Sequence, residues 1–538
     1  MTNTVYELFR ATAARTPDAQ FLFTESVTAQ AYGISPGAIR WGQAAAEVER
    51  LRAAYAQAGW GHGHRVGLLL ENRPAFLLHW FALNALGASV VPINAEMRSA
   101  ELTYLIGHSE IGLAVTLPSR AEDLRAAAAQ AGVPFATMGT DDLVPAAPKA
   151  APRAGQPIGE GTECGLLYTS GTTGRPKGCM LDNAYFLRAG DWYAALDGVC
   201  SIRRDAERVI TPLPLNHMNA MAFSTMVVLV AGGCLVQLDR FHPKSWLASA
   251  RESGATIAHY LGVMPAMLLS AAPASADRDH AIRWGFGAGV DRKNHAPFEE
   301  RFGFPLVEAW AMTETGAGAC VMADREPRLV GSSCFGRQPD FLDVRLVDEG
   351  GRDVPADAPG ELLVRSKGDD PRRHFFSGYL KDEAATAEAW ADGWFHTGDL
   401  VRRDGEGNFF FVDRKKNVIR RSGENISAVE VESVLNQHPA VKTSAVAATP
   451  DAVRGDEVLA CIVLHQPVQD AQALAASITQ HALDQLAYYK APGYVAFVDA
   501  LPLTPSQKIQ RGQLRELAQA LPGQPHCVDT RAMKKRQT

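Results

Sequence analysis

Leu167-Tyr168-Thr169-Ser170-Gly171-Thr172-Thr173-Gly174-Arg175-Pro176-Lys177-Gly178 is the stretch around which the rest of the chain is read. The hydroxyls of Thr169, Ser170, Thr172 and Thr173 can donate to an anion, and Gly171 and Gly174 let backbone N–H groups approach it closely. That combination suits a phosphate. It is not a Walker A loop, in which a Ser or Thr directly after the lysine holds magnesium, because Lys177 lies between Pro176 and Gly178. A P-loop nucleotidase is therefore disfavoured. A shorter fragment of the string would read as a solvated polar turn, so the neighbouring sequence has to decide.

On both sides of the loop, short apolar runs alternate with helical patterns. Val66 to Leu70 reads as a strand, Asn72 and Pro74 as helix-start signals, Ala75 to Leu86 as a helix, and Gly87 as its stop. Strands at 89–94 and 112–116 enclose a second helix at 100–108. Buried strands alternating with helices predict parallel α/β layers. The Ala-, Pro- and Gly-rich stretch 146–161 reads as a linker into the loop. Beyond it, strands at 208–211 and 234–238 flank a small-residue helix at 219–230, and 257–260 and 282–287 continue the theme. Short alternating strands from Gly336 to Arg365 predict a small antiparallel or barrel-like piece. The last segment, near Arg414 and Lys416, has the helices (428–437, 470–486) and strands (443–448, 459–464, 494–498) of a compact α+β domain. The expected fold is a large N-terminal domain of parallel α/β layers with the barrel-like piece, residues 1–415. A hinge joins it to a small α+β domain, residues 416–538.

Bulk properties narrow the class. A chain of 538 residues is too long for one core, and 46% hydrophobic with 21% charged residues is ordinary globular usage. Lys plus Arg total 53 against 59 Asp plus Glu, so the net charge of -6 gives no footprint for nucleic acid or an anionic membrane. The basic tail Lys534-Lys535-Arg536 reads as a frayed, solvated terminus. Eight cysteines without C-x-x-C or zinc spacing fit reduced thiols. Residues 1–25 do not read as a secretory signal, and Ala75 to Leu86 falls far short of the roughly 20 residues of a membrane span. A cytoplasmic location is expected.

Further stretches follow in order. Pro214-Leu215-Asn216-His217-Met218-Asn219 and Gly287-Ala288-Gly289-Val290 precede Glu308-Ala309-Trp310-Ala311-Met312-Thr313-Glu314-Thr315-Gly316. Then come Gly393-Trp394-Phe395-His396-Thr397-Gly398-Asp399, Val412-Asp413-Arg414-Lys415-Lys416-Asn417, Arg421-Ser422-Gly423-Glu424-Asn425, and Leu503-Thr504-Pro505-Ser506-Gln507-Lys508-Ile509-Gln510-Arg511. Singly, these read as a surface acid, a turn aspartate, a solvated charge run or an exposed lysine. Together with the hydroxyl loop, and over roughly Val5 to Gln513, they resemble the adenylate-forming superfamily: acyl-CoA synthetases, luciferases and peptide-synthetase adenylation domains.

The resemblance implies a two-step ligase using ATP, Mg²⁺ and coenzyme A. A carboxylic acid attacks the α-phosphorus, pyrophosphate leaves, and the acyl-adenylate is then taken by the CoA thiol. It implies that Thr169, Ser170, Gly171, Thr172, Thr173, Gly174 and Lys177 hold phosphates, with Thr313 on the α-phosphate and Glu314 on Mg²⁺. Gly287, Ala288, Gly289, Trp310, Ala311 and Met312 line the adenine and acyl sites; Asp399 and Arg414 hold ribose or phosphate; and His217 gates the acyl path. Lys508 is the catalytic lysine of the first step, Lys416 the pivot, and Gly423 the face presented to the thiol after rotation. Departures from the family pattern are Trp310 and Ala311 for Tyr and Gly, Gln507 before Lys508, and Leu181-Asp182-Asn183-Ala184, which lacks a Thr-His pair. An amino-acid adenylation domain would be expected to carry an Asp near the gating stretch to pair the substrate ammonium. His217 and Asn219 stand there instead, and the stretch looks closest to medium-chain or carnitine-type CoA ligases. The alternatives are an adenylation enzyme with another acceptor and a nucleotide-binding pseudoenzyme.

Overall fold

The structure is a computed structural model that describes residues 2–169, 175–290, 292–348, 350–414, 418–467, 470–502, 509 and 511–535. Strands Arg65–Leu69, Ser89–Pro92 and Leu113–Thr116 are buried almost throughout and run parallel, as strands covered on both faces must. Pro74 at the first turn starts the helix Pro74–Asn84, which is buried on nearly every side; Gly87, at φ +69°, turns the chain back after it. These strands belong to one sheet with Ala136–Met138 on one side and Glu163–Thr169, Lys177–Asp182 and Gly378–Tyr379 on the other.

A second sheet runs in the order Val321–Met322, Leu306–Trp310, Trp284–Ala288, Ile257–Leu261, Arg208–Thr211, Cys234–Gln237, Gln20–Thr24, Gly37–Arg40. Its central neighbours are parallel. A third, antiparallel sheet orders Cys334–Arg337, Asn408–Arg414, Phe395–Arg403, Pro359–Ser366 and Leu342–Val347. The stretch expected as a linker is tied to the segment before strand Arg65–Leu69: Ala147 N–H donates to Ala58 O at 2.8 Å and Arg153 N–H to His62 O at 3.0 Å. The helix expected at 219–230 opens as a wide π turn, Asn219–Ser224, before the α-helix Thr225–Ala231.

The core clusters draw either on residues up to Phe411 or on residues from Ile419 onward. The later residues form a sheet of Glu424–Ser427, Val418–Arg421, Gly455–Leu464, Tyr494–Phe497 and Cys527–Asp529, with Val441–Asp451 paired to Gly455–Leu464. Helices Ala428–Leu435, Ala471–Gln485 and Arg511–Ala520 complete it. The solvated tail is corrected at Lys534. Strand Cys527–Asp529 adds to the sheet edge and carries the chain over Glu457, whose Oε2 accepts from Arg421 Nε at 2.8 Å. Lys534 Nζ donates to the other oxygen and its side chain is 0% exposed. With the Val458 N–H also donating to that oxygen at 2.8 Å, a buried carboxylate among three donors is satisfied where an isolated one would be costly. Burial, followed by the nearby Arg421 charge, lowers Lys534 to about 7 in spite of Glu457. Among the described residues no helix is long and apolar enough to cross a membrane.

Candidate active site

Strands Arg208–Thr211, Ile257–Leu261, Trp284–Ala288 and Leu306–Trp310 end on the same side because they are parallel neighbours. The connections after Arg208–Thr211, Trp284–Ala288 and Leu306–Trp310 each carry one of the singled-out stretches, so a crevice at the carboxyl ends gathers residues far apart in sequence. Gly287, Ala288 and Gly289 form one wall, with Ala288 and Gly289 exposed. A Cβ on Gly287 would lie 2.3 Å from Tyr260 O, and one on Gly262 would lie 1.7 Å from Gly289 O, so backbones approach where only glycine fits. Glu308 fixes this turn from beneath. Its oxygens accept from Gly289 N at 2.9 Å, Val290 N at 3.1 Å and Tyr260 Oη at 3.0 Å. Burial raises the Glu308 carboxyl in spite of these donors.

The hydroxyl loop is the tip of the hairpin formed by Glu163–Thr169 and Lys177–Asp182, where Thr169 pairs with Lys177. Ser170, Gly171, Thr172, Thr173 and Gly174 lie outside the described residues. Lys177 Nζ stands 4.7 Å from the centre of the Tyr379 ring, and Tyr379 Oη donates to Glu314 Oε1 at 2.9 Å. One tyrosine thus bridges the loop lysine and the expected metal carboxylate. Burial and then the Glu314 charge push the Tyr379 hydroxyl far up, so it stays a donor. Tyr185 Oη donates to Thr313 O at 2.9 Å, and the Thr169 hydroxyl lies 3.9 Å from Cys179 Sγ.

Asp399 comes from the third sheet. It is 1% exposed, and its Oδ2 accepts from the Trp310 indole Nε1–H at 2.9 Å. The departure at Trp310 is thus tied directly, through its indole N–H, to the carboxylate expected to hold ribose. Asp399 stands opposite Arg414 in the ladder, although the structure describes only the backbone of Arg414. Ala311 and Met312 pack half-buried on the main core. Behind the gating stretch, His259 Nδ1 lies 3.1 Å from Asn219 Oδ1 and 2.7 Å from Ser224 Oγ, while Tyr193 Oη meets Nε2 at 3.0 Å. Burial lowers His259 to about 3, leaving a neutral ring that anchors Asn219.

The small domain reaches this crevice with a two-residue hairpin. Ser422 and Gly423 have φ of +50° and +88°, as a type I′ turn demands, between the paired Arg421 and Glu424. A Cβ on Gly423 would lie 2.0 Å from Leu261 Cδ1. His217 Nε2–H donates to Glu424 Oε2 at 3.2 Å. Burial disfavours charge on both, but the Glu424 carboxylate outweighs it and raises His217, and His217 in turn holds Glu424 low. The pair is partly open, with 40% and 21% of the side chains exposed. Lys416 and Lys508 lie outside the described residues.

The structure therefore brings together Lys177, Thr313, Glu314, Trp310, Asp399, Gly287, Ala288, Gly289, His217 and Gly423. It adds Tyr379, Glu308, Glu424, Leu261 and His259, which sequence reasoning missed. Glu308 and Glu424 carried a signal, each being an acid inside a quoted stretch.

The family described as AMP-binding enzyme matches residues 9–380, and the AMP-binding enzyme C-terminal domain matches residues 430–508. The chain belongs to the AMP-binding enzyme family. A sulfoacetate–CoA ligase of Cupriavidus necator is 31% identical over 95% of this chain and 97% of its own length. A crotonobetaine/carnitine–CoA ligase of Shigella flexneri is 31% identical, covering 87% of this chain and 91% of its own. The o-succinylbenzoate CoA synthetase of Bacillus subtilis has the same fold, with a TM-score of 0.80, 24% identity, and coverage of 95% of this chain and 98% of its own.

Proposed function

We infer that this AMP-binding enzyme is an acid–thiol ligase: it joins a carboxylic acid to ATP, releasing pyrophosphate, and passes the acyl group from AMP to coenzyme A. The observation that carries this reading is the hairpin at Gly423, seated on Leu261 and beside His217 at the same crevice that holds Lys177, Glu314 and Asp399. One crevice thus serves both a nucleotide and a second, thiol-side approach.

Lys177 and the hydroxyl loop hold phosphates, Asp399 and Arg414 the ribose, and Gly287 to Gly289 with Trp310, Ala311 and Met312 the adenine and acyl group. Lys508 stabilises charge during adenylation, and Lys416 is the pivot between a large unit, 1–415, and a small one, 416–538; the separation of core clusters at Phe411 and Ile419 supports that division. Glu314 offers a single carboxylate, and among the described residues no group of three or more His, Cys, Asp or Glu could hold a metal. That donor set fits Mg²⁺ bound mainly by nucleotide phosphate oxygens and water. When bound, the ion offsets phosphate charge as pyrophosphate departs. Tyr379 orients Glu314 through its 2.9 Å bond, keeping the carboxylate beside Lys177. These fixed charges act on the developing transition-state charge without reorganising. A cytoplasmic setting agrees with eight cysteines that are all free thiols.

The test is AMP, pyrophosphate and thioester formation from Mg·ATP and CoA across sulfoacetate, crotonobetaine, carnitine, medium-chain, aromatic and amino acids. Acid-dependent AMP with an acyl-CoA product is expected. Pyrophosphate exchange without thioester would reassign the acceptor, and silence across the panel would favour a binding protein without turnover.

A further inference from the structure

The two domains also meet at a second cluster, which adjoins Glu424: after His217, the Lys490 charge and the Tyr489 hydroxyl also help to hold that carboxyl low. Helix Ser99–Ser109 of the large domain begins with a capping box in which Glu101 Oε2 accepts the Arg98 N–H at 3.0 Å. The other oxygen of Glu101 accepts from Lys490 Nζ of the small domain at 2.7 Å. Lys490 also donates to Glu430 Oε1, within its own domain, at 2.8 Å. The three side chains are 10%, 6% and 8% exposed for Lys490, Glu101 and Glu430. Next to them, Asn94 Nδ2 of the large domain donates to Tyr489 Oη at 3.0 Å.

One ammonium therefore sits between two carboxylates, one from each domain, where water is nearly excluded. Breaking a buried pair is ordinarily expensive because it strands a charge. Here separation strands neither ion: Lys490 keeps Glu430, and Glu101 keeps the N-terminus of its helix and returns to solvent. The contact is specific in geometry yet can be remade each time the domains meet. We propose that Glu101 and Lys490 are positioning residues that latch the small domain with its Gly423 hairpin on Leu261, the arrangement used for thioester formation. The proposal rests on the two-step ligase reading above.

Glu101→Gln tests it cleanly, since glutamine keeps the capping box and removes only the charge that crosses the domain boundary. Discharge of preformed acyl-adenylate by CoA should slow about tenfold, while acid-dependent pyrophosphate exchange stays within about twofold. Glu430→Gln removes a carboxylate from the same cluster but not the cross-domain one, and should slow discharge far less. Amide hydrogen exchange on the full-length protein without substrate provides a second readout. Residues 99–103 and 486–491 should exchange faster in Glu101→Gln at an unchanged melting temperature. Asn94→Ala, at the edge of the same contact, should act in the same direction with smaller size and serves if Glu101→Gln is unstable. Unchanged exchange in both segments, or equal loss of both half-reactions, would overturn the latch. Failure of the wild type to make any acyl-CoA would instead remove the ligase reading, and the exchange result would still decide whether the contact holds the domains.

Discussion

Gly423→Ala separates the two half-reactions by a clash that exists only when the domains are docked. The new methyl group lies 2.0 Å from Leu261 Cδ1, well inside van der Waals contact, and Leu261 belongs to the other domain. Because Cδ1 ends a flexible side chain, the cost should fall in the lower half of the usual overpacking range, about 1–2 kcal/mol. The φ of +88° adds about 1–2 kcal/mol of backbone strain, but that strain stays inside the small domain whatever its orientation. Stability should therefore drop by the strain, while thioester formation drops by the clash, roughly 5- to 30-fold. Single-turnover transfer from preformed acyl-adenylate to CoA reads the clash, and pyrophosphate exchange reads the first step, which should change little. The decisive control is Leu261→Ala in the Gly423→Ala background, which removes the colliding carbon and should restore most of the transfer rate while leaving the lost stability unrecovered. A double variant as slow in transfer as Gly423→Ala alone would refute the argument, because the defect would then lie in the hairpin itself.

Trp310→Phe keeps an aromatic ring but deletes the donor to the buried Asp399, and a hydrogen bond to a charged group contributes about 1.5–3 kcal/mol. The KM for ATP should rise about tenfold or more in pyrophosphate exchange. Glu314→Gln should move the Mg²⁺ dependence of the first step to higher concentration; an unchanged midpoint would disprove metal binding there. The His217–Glu424 pair gives a pH window. His217 is raised, so its share of docking is full below the ordinary histidine value and lost as pH rises through the raised one. Glu424 is lowered, so its share is present above the ordinary carboxylate value and lost only as pH falls through the lowered one. The pair is partly exposed and is worth at most about 1 kcal/mol. Glu424→Gln should slow transfer only a few-fold near neutrality and converge with the wild type at alkaline pH. A constant ratio from pH 6 to 10 would count against the pair.

Much of this was legible because regular elements announce themselves through local pattern. Apart from Arg65 at the start of one and Thr116 at the end of the other, the buried strands at 65–69 and 113–116 carry no polar side chain, and Pro74 and Gly87 punctuate the helix between them and its return. Gly423 was singled out only through the family resemblance, and the structure gives the physical reason for a glycine there, a φ of +88° in a two-residue hairpin. Tyr379 was missed for the opposite reason. Its link to Glu314 spans 65 residues and depends on an edge strand of only two residues pairing with Cys179 and Met180. Lys534 was misread because a basic run near a chain end normally seeks water. Only the added strand Cys527–Asp529 brings it over Glu457. The cross-domain Lys490–Glu101 bond joins residues 389 apart, and no periodicity can report it.

The docking surface is built from contacts that are selective rather than strong, as the alternation of the proposed two-step reading requires. Shifting a two-state equilibrium from 1:99 to 99:1 takes about 5.5 kcal/mol, so docking worth much more would leave the adenylating arrangement almost unpopulated. Each contact avoids that excess in its own way. The His217–Glu424 pair is partly exposed and screened. Lys490 brings its own counter-ion in Glu430, so that gaining Glu101 does not rescue an otherwise stranded charge. Gly423 contributes an absence of side chain, which permits approach to Leu261 without adding adhesive surface. If the small domain docks and releases once per turnover, as the proposed two-step reading requires, the enzyme gains from recognising one orientation through shape and compensated charge. Strengthening any of these contacts, for example by replacing Asn94 with a residue that binds Tyr489 more tightly, should therefore favour thioester formation at the expense of adenylation, and the slower of the two would set the turnover.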